Sequence, residues 1–358
     1  MKPRRKLGAF ALNGGRWPVR GMPPYGTLPS GVRRRAWTHV DPPQLLVVLN
    51  PCVVRGRRGS AWARAAAGLR ALSHMEVRET LGDGADVQRI TDWLSNVRPA
   101  IAVAAGGDGT VRAVAAALMA VPLPARPTLG LLPLGTANNV ARSLGLSGLH
   151  CVSEATLARV ARAIVAGAPS ALDVGYVDGA PFVGSFALGM DGEILAARNR
   201  WQRRYGLDGG YALYLLSCAA NLTRHRSVRA RLAIDAVRGE VAVYNLLVLN
   251  TALYAGEFRF GGAARSADGR LDVHVFTGAV DYVRRYTAAW RRQLAHRGAH
   301  DASAPGVRCT DHLAVELERP LASQLDGEEG PRGTRFTVWL EPAALRVCLP
   351  ADPRRTVG

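Results

Sequence analysis

Two glycine-rich loops, each of which follows a short apolar run, indicate the fold of this chain. Residues 101–105 lead into the first loop, and residues 128–132 lead into the second. The loops contain Gly106, Gly107, Asp108, Gly109 and Thr110, and then Gly135, Thr136, Ala137, Asn138 and Asn139. Glycine lets backbone N–H groups approach a ligand, and the helical pattern behind each loop provides a helix N-terminus that favours negative charge. Because neighbouring parallel strands end at the same edge of a sheet, the two loops predict a shared crevice for phosphate groups.

The pattern of strands and helices divides the chain into two lobes. Strands alternate with helices from residue 44 to 168, which predicts a parallel sheet built from βαβ units. From residue 169 to 350 short strands predominate, with helices expected at about 209–222 and 280–296. This change predicts a second lobe with an antiparallel sheet or sandwich, and an active cleft between the lobes. Its predicted strands include residues 228–234, 241–249, 271–276, 321–325, 335–339 and 345–349.

The composition limits the partners of the chain. Its net charge is +18. Residues 1–40 contain nine Lys or Arg and no Asp or Glu, and we expect the basic arm at residues 1–43 to be disordered. A basic chain favours a nucleotide, a nucleic acid or an acidic membrane surface. Aromatic residues make up 6% of the chain and do not alternate with basic ones, which disfavours nucleic acid.

Two further observations concern the compartment. No apolar run reaches the ~18–20 residues that a membrane span needs. The five cysteines are scattered without a CxxC pair, which favours a reducing compartment and disfavours a zinc site or a disulfide framework. We therefore expect a cytoplasmic protein. Residues 351–358 are expected to form a short tail.

Several motifs occur in a fixed order along the chain. Asn50-Pro51 ends the first predicted strand, Thr80 follows the second, and the two glycine-rich loops come next. Later landmarks are Asn250 with Gly256, the segment Asp268-Gly269-Arg270-Leu271-Asp272-Val273, and the turn Asp326-Gly327-Glu328. Together they resemble the diacylglycerol kinase catalytic family, which includes sphingosine kinases and bacterial lipid kinases, over about residues 45–350. A GGDGT loop also occurs in NAD kinases, but the second loop, which the family usually has as PxGTxND, is typical of lipid kinases.

The resemblance implies a fold, a reaction and a set of site residues. The expected fold is an α/β nucleotide-binding lobe like that of NAD kinase and phosphofructokinase, followed by a mainly antiparallel β-sandwich lobe. The expected reaction is transfer of the ATP γ-phosphate to a hydroxyl group of diacylglycerol or a related lipid alcohol. The family pattern assigns Mg²⁺ to Asp268 and the catalytic base to Asp326 or Glu328. The residues expected to hold ATP are Asn50, Thr80, Gly106, Gly107, Asp108, Gly109, Thr110, Gly135, Thr136 and Asn138.

The chemistry of phosphoryl transfer fits these residue types. The chain has no Gly-Lys-Ser/Thr sequence and therefore no P-loop lysine. Mg²⁺ must then neutralise more of the phosphate charge, with Asp108 as a candidate ligand or orienting residue. A carboxylate within hydrogen-bond reach of the acceptor hydroxyl suffices as the base, which suits Asp326 and Glu328.

The chain also departs from the family pattern. Ala267 stands where the family commonly has an Asp, which weakens the case for a metal at Asp268. Gly184 stands where an Asn is frequent, and the loop at residues 52–59 is longer and more basic than usual.

The predicted helix at residues 280–296 carries Arg284, Arg285, Arg291 and Arg292 beside apolar and aromatic residues. Such a basic amphipathic helix suggests a contact with the inner face of a membrane, although packing of its apolar side on the β lobe is the simpler interpretation. An NAD kinase and a catalytically inactive lipid- or nucleotide-binding module are the alternative functions. The sequence leaves the oligomeric state open, with a homodimer as one option.

Overall fold

A computed structural model describes residues 42–54, 57–146, 154–206, 211–260, 266–295, 307–309 and 312–349. Most of the basic arm predicted at residues 1–43 and all of the tail predicted at 351–358 lie outside these ranges. The described residues from Pro43 onward belong to one compact unit.

The first lobe contains the predicted parallel sheet, with strands in the order β2-β1-β3-β4. These strands are β1 Gln44–Leu49, β2 His74–Glu79, β3 Ile101–Gly106 and β4 Thr128–Pro133. The helices are α1 Arg57–Arg70, α2 Asp86–Val97, α3 Asp108–Met119, α4 Asn139–Ser143 and α5 Glu154–Ala166. Strands β3 and β4 are buried throughout, as expected for a sheet covered by helices on both faces. On one face Val48 packs with Ile90 of α2, and on the other Val47 packs with Leu69 of α1.

The second lobe contains two sheets with a common core. One is a six-stranded antiparallel sheet of β7 Ser185–Gly189, β10 Asn245–Leu249, β11 Leu271–Phe276, β12 Val307–Cys309, β14 Ser323–Leu325 and β15 Glu328–Glu329, in the order β12-β11-β10-β7-β14-β15. The other is the outer part of a larger sheet, with β8 Val228–Ile234, β9 Val237–Val243, β13 His312–Leu321 and β16 Gly333–Cys348 in the order β16-β13-β8-β9. Beside it, β5 Pro169–Val177 pairs with β16, and β6 Ala180–Phe182 pairs with β5. Apolar side chains such as Phe182, Phe186, Leu246, Leu313 and Phe336 fill the space between them. The predicted antiparallel β-sandwich is therefore present.

The helices that the structure describes in this lobe are α6 Met190–Tyr205, α7 Tyr211–Arg224 and α8 Ala279–Ala295. The predicted strands at 228–234 and 271–276 are confirmed. No helix among the described residues has both the length and the apolar character that crossing a bilayer requires.

Strand β16 joins the two lobes into one continuous sheet. It pairs with β13 and β5 in antiparallel fashion, and near its end Val347 pairs in parallel with Leu129 of β4. The prediction of two separate strands at 335–339 and 345–349 was therefore wrong. The register with β5 shifts between Glu341 and Leu345, where Pro342 lacks an N–H donor and Ala343 has a positive φ of 51°. In the sequence, such an irregularity is typical of the end of a strand, and this explains the wrong prediction.

Three other predictions need correction. The apolar run at 241–249 forms two strands, because the chain leaves one sheet after Val243 and enters the other at Asn245. Likewise, the predicted strand at 321–325 is divided between β13 and β14. Helix α6 was not predicted, since its buried side chains form a narrow stripe that includes Met190, Ile194 and Ala197 within an otherwise polar sequence.

Candidate active site

The two glycine-rich loops pack directly against each other at the carboxyl ends of β3 and β4. The N–H groups of Leu134 and Gly135 both donate to the carbonyl of Gly106, at 3.0 and 3.1 Å. A Cβ atom added to Gly135 would lie 2.3 Å from the Cα of Gly107, so no larger residue fits there without moving the backbone. The two loops are thus packed neighbours at one edge of the sheet, and their binding of phosphate groups stays a prediction.

Asp108 begins helix α3 and faces the second loop. Its carboxylate accepts hydrogen bonds from the side-chain amide of Asn139 and from the backbone N–H of Val140, both at 3.2 Å. Burial raises the pKa of Asp108, while the donors from Asn139 and Val140 oppose that effect. The Asp108 carboxylate is therefore held in a fixed orientation between the two loops.

The other residues expected to hold ATP lie along the same edge of the sheet. Asn50 accepts a 2.9 Å hydrogen bond from the N–H of Cys52, and Thr80 is buried at the end of β2. Thr136 is exposed on the second loop. Asn138 is buried, and its amide donates to the carbonyl of Gly135 at 2.8 Å. This side chain supports the loop from behind and does not project from its surface.

A cavity of about 170 Å³ lies beside the loops and includes residues of both lobes. Asp108, Asn139 and Val140 contribute from the first lobe, and Asp326 contributes from the second. The rest of the lining comes from Gly184, Ser185, Asp191, Leu195, Arg198, Tyr214, Leu253, Tyr254, Ala255, Gln324 and Gly327. Asp108 and Asp326, which are more than two hundred positions apart in the sequence, therefore face the same space.

Asp326 lies in the two-residue turn of the β14–β15 hairpin, where Leu325 pairs with Glu328. Asp326 and Gly327 have positive φ values of 50° and 84°, as the favoured Asp-Gly hairpin turn requires. The Asp326 carboxylate accepts three backbone N–H groups, from Val183 at 2.8 Å, Gly184 at 2.7 Å and Ser185 at 2.8 Å. Burial outweighs these donors and raises the pKa of Asp326 to about 6.

Glu328 occupies a different position from Asp326. Its side chain is exposed and extends over the first loop, where a Cβ atom added to Gly109 would lie 2.7 Å from its Oε1 atom. The hairpin therefore presents one carboxylate to the cavity and another to the first glycine-rich loop. The sequence predicted both residues but not this division.

Two landmarks to which the sequence assigned no role support the site. The buried amide of Asn250 donates to the carbonyls of Asp173 and Val183, at 2.8 and 2.7 Å, and so fixes the segment whose N–H groups hold Asp326. Gly256 donates its N–H to the side chain of Asn139. Gly256 has a positive φ of 77°, and a Cβ there would lie 3.3 Å from the Ala137 Cβ, which explains the need for glycine.

Gly184, which stands where an Asn is frequent in the family, also affects the space around Asp326. A Cβ atom at this position would lie 3.0 Å from Oδ1 of Asp326 and 3.4 Å from a methyl group of Val140. Glycine therefore leaves space beside the Asp326 carboxylate, while its N–H still donates to it.

The predicted metal residue Asp268 lies in the turn before β11, away from the residues that line the cavity. Within the described ranges, no group of three or more His, Cys, Asp or Glu side chains is arranged to hold a metal ion. The nearby carboxylate of Asp173 accepts backbone N–H groups from Gly269 and Ala343. The role of Asp268 stays a prediction.

Helix α8 has one face packed on the β lobe and an outer face that is exposed. Tyr282, Tyr286 and Ala289 pack into the core of the lobe. Arg285 is also engaged, since it donates to the Val275 carbonyl and lies 4.2 Å from the centre of the Phe276 ring. The outer face exposes Val280, Val283, Arg284, Trp290, Arg291 and Leu294.

Comparison with known proteins gives a consistent result. Residues 44–177 match the diacylglycerol kinase catalytic domain, and residues 184–349 match the YegS C-terminal NAD kinase beta sandwich-like domain. A probable lipid kinase YegS-like from Pseudomonas aeruginosa is 33% identical over 292 residues, which cover 81% of this chain and 89% of the relative. A diacylglycerol kinase from Bacillus subtilis is 26% identical over 251 residues, covering 63% of this chain and 80% of the relative.

A solved structure has the same fold. The crystal structure of a putative diacylglycerol kinase from Bacillus anthracis matches with a TM-score of 0.66 at 19% identity, and covers 88% of this chain and all of the other.

Proposed function

We propose that this chain, which belongs to the YegS-like family of lipid kinases, transfers the γ-phosphate of ATP to a hydroxyl group of diacylglycerol or a related lipid alcohol. The observation that carries the proposal is the cavity that Asp108 and Asp326 share beside the packed glycine loops. Phosphoryl transfer needs a held triphosphate, charge neutralisation and a base near the acceptor. The cavity brings together residues suited to each task.

The glycine loops are suited to hold the triphosphate of ATP. Their backbone lies close enough that a side chain at Gly106 or Gly135 would collide with neighbouring atoms, at 2.2 and 2.3 Å. Without side chains at these positions the loop backbone can approach a phosphate group closely, and the first turn of α3 adds the positive end of a helix. Thr110 and Thr136 supply hydroxyl groups at the same edge.

The carboxylates near the loops are suited to a magnesium ion. Mg²⁺ in kinases is usually held by one or two carboxylates together with substrate phosphates, so a larger cluster is not needed. Asp108 begins the helix that follows Gly107, and the Glu328 carboxylate lies over Gly109. Bound there, the ion would neutralise charge on the transferring phosphate.

Asp326 is the better candidate for the base. With a pKa of about 6 it is a carboxylate at neutral pH but binds a proton more readily than an ordinary Asp. Three backbone N–H groups fix its orientation toward the cavity. Glu328 is exposed over the nucleotide loop and so is better placed to act on the phosphate side.

We also propose that the outer face of α8 rests on the cytoplasmic surface of an anionic membrane, from which the enzyme takes its substrate. Val283, Trp290 and Leu294 are 46%, 43% and 62% exposed on this face, and the Arg284 side chain is 80% exposed. Arginine interleaved with exposed apolar residues on one helix face suits the interface between lipid headgroups and acyl chains.

Incubation of the purified chain with a total bacterial lipid extract, Mg²⁺ and γ-labelled ATP tests the kinase proposal. We expect label in an organic-extractable product, identified by mass spectrometry, and none with Asp108→Ala. Label in an aqueous dinucleotide would instead indicate an NAD kinase. ATP binding without transfer to any lipid would indicate an inactive binding module.

A further inference from the structure

Gln324 is a buried polar side chain on the wall of the cavity that has no role in the steps above. It lies in the short strand β14 and is 3% exposed. Its neighbour Leu325 packs into the core between the two sheets of the second lobe. A buried amide destabilises a fold unless its polar atoms have hydrogen-bond partners. The partners of Gln324 therefore indicate what this residue does.

The oxygen of the Gln324 amide holds the hairpin turn that carries the proposed base. The ladder pairs Leu325 with Glu328, and the turn between them consists of Asp326 and Gly327. Gly327 donates its N–H to Oε1 of Gln324 at 2.7 Å. This N–H belongs to the planar peptide that joins Asp326 to Gly327. The bond therefore fixes the backbone from which the Asp326 side chain projects.

The nitrogen of the same amide connects the turn to Asp191 through Tyr254. Nε2 of Gln324 donates to the Tyr254 hydroxyl at 3.1 Å, and that hydroxyl donates to Oδ2 of Asp191 at 3.0 Å. A backbone N–H can only donate, so the oxygen of Gln324 must face Gly327 and its nitrogen must face Tyr254. The direction of each bond from Gly327 to Asp191 is therefore fixed. We call these four residues the Gln324 network.

Asp191 gives the Gln324 network a fixed end. It lies in the first turn of α6, where a negative charge is favoured, and is 8% exposed. Besides Tyr254, its donors are Tyr282 at 2.7 Å, Tyr286 at 2.5 Å and the amide of Asn245 at 2.9 Å. Burial, followed by the nearby charge of Asp191, raises the pKa of the three tyrosines well above the ordinary value. The tyrosines therefore keep their protons and stay donors.

The Gln324 network acts on a different part of the turn from the other groups around Asp326. The backbone N–H groups of residues 183–185 bind the Asp326 carboxylate itself. Burial raises the pKa of this carboxyl group to about 6, although those N–H groups and the positive charge of Arg112 on α3 oppose the effect. Gln324 is neutral and binds the backbone that follows Asp326. It therefore positions the base without adding a charge beside it.

We propose that Gln324, anchored by Tyr254, is a positioning residue that keeps the Asp326 carboxylate aimed at the acceptor hydroxyl. This inference rests on the proposed function, in which Asp326 takes the proton of that hydroxyl. A displacement of about 1 Å can slow a reaction by about 100-fold. We therefore expect loss of the network to lower kcat by about 10- to 100-fold. The KM for ATP should stay within about twofold, because the residues expected to hold ATP lie outside the network.

Two substitutions in the full chain test the network. Gln324→Met keeps the length of the side chain and removes both hydrogen bonds, so it should show the full loss of kcat. Tyr254→Phe removes the anchoring hydroxyl and should lower kcat by about 2- to 10-fold, as expected for one hydrogen bond. Because both act through one network, the double variant should be within about twofold of Gln324→Met. Rates are measured with a fixed amount of the total bacterial lipid extract in detergent micelles and varied ATP, which gives an apparent kcat and the KM for ATP.

Tyr282→Phe is the matched control. It also removes a buried hydroxyl from Asp191, but one that binds Oδ1 and does not lead to the hairpin. It should lower stability in urea as much as Tyr254→Phe does and leave kcat within about twofold of the wild type.

The outcomes separate this inference from the proposed function. Wild-type kcat in folded Gln324→Met, or an equal fall of kcat in Tyr254→Phe and Tyr282→Phe, would overturn the role of Gln324 while the wild type remains a lipid kinase. If Gln324→Met does not fold, the comparison of the two tyrosine variants decides the question. A wild type that labels no lipid in the extract would refute the proposed function and this inference together.

Discussion

The substitution Asp326→Asn should affect activity and stability in separable ways. Asparagine keeps the shape of the side chain but cannot act as a base, which lowers kcat/KM by about 10²–10⁴. In the wild type, the pKa of about 6 for Asp326 predicts that kcat/KM declines below pH 6, by about tenfold per pH unit. This acid limb should be absent from the residual activity of the variant.

The effect on stability follows from the same pKa. Raising a carboxyl pKa from 3.8 to about 6 corresponds to about 3 kcal/mol. The folded state then binds the proton more tightly than the unfolded chain, so this stabilisation is complete below about pH 4 and is lost as the pH rises through 6. The free energy of unfolding of the wild type, relative to Asp326→Asn, should therefore fall by about 2 kcal/mol between pH 4 and pH 7.

Two measurements test this account: the pH profile of kcat/KM and urea unfolding at both pH values, each for the wild type and the variant. Glu328→Gln is the informative comparison, since it should weaken the use of ATP and Mg²⁺ but keep the acid limb near pH 6. An acid limb near pH 4 in the wild type, or wild-type activity in Asp326→Asn, would refute the assignment of the base.

Three further perturbations test other parts of the site and surface. Gly135→Ala places a Cβ 2.3 Å from the Cα of Gly107 and should raise the KM for ATP roughly 5- to 150-fold, since overpacking costs about 1–3 kcal/mol. Gly278→Ala, whose Cβ would meet no atom within 4 Å, should leave that KM unchanged. Asn250→Ala leaves the buried carbonyls of Asp173 and Val183 without a donor, so urea unfolding should show a loss of about 1–3 kcal/mol and kcat should fall as the segment holding Asp326 loosens. Replacing both Arg284 and Arg291 with alanine should lower the affinity for anionic vesicles, measured by sedimentation, by about tenfold or more, at roughly 1 kcal/mol per arginine. An equal loss of affinity when the exposed Arg70 and Arg229 are replaced with alanine would contradict a specific contact through α8.

The local signals in the sequence were enough to predict the parallel sheet and the two loops. Strands β3 and β4 are short apolar runs that end in glycine-rich turns, and both are buried throughout. The sequence could also predict that Asp108 and Asp326 face one cleft, because the motif order resembles a known family. Strand bounds were predicted wrongly where tertiary structure divides or joins apolar runs. The run around Tyr244 is divided between β9 and β10, and β16 continues through its irregular register as one strand.

The supporting residues of the site could not be found in the same way. The donors to Asp191 come from positions 245, 254, 282 and 286, and no spacing in the sequence indicates that they meet. The roles of Asn250 and Gly256 likewise depend on partners more than sixty positions away, Val183 and Asn139. Short polar motifs identified the reacting groups, but the residues that position them became visible only through folding.

A crystal structure with a non-hydrolysable ATP analogue and Mg²⁺ would show where the triphosphate binds. We expect the terminal phosphate to lie against the backbone of Gly106–Thr110 and Gly135–Thr136, with its outer oxygens facing the Asp326 cavity. A triphosphate bound elsewhere, or one whose terminal phosphate points away from Asp326, would contradict it.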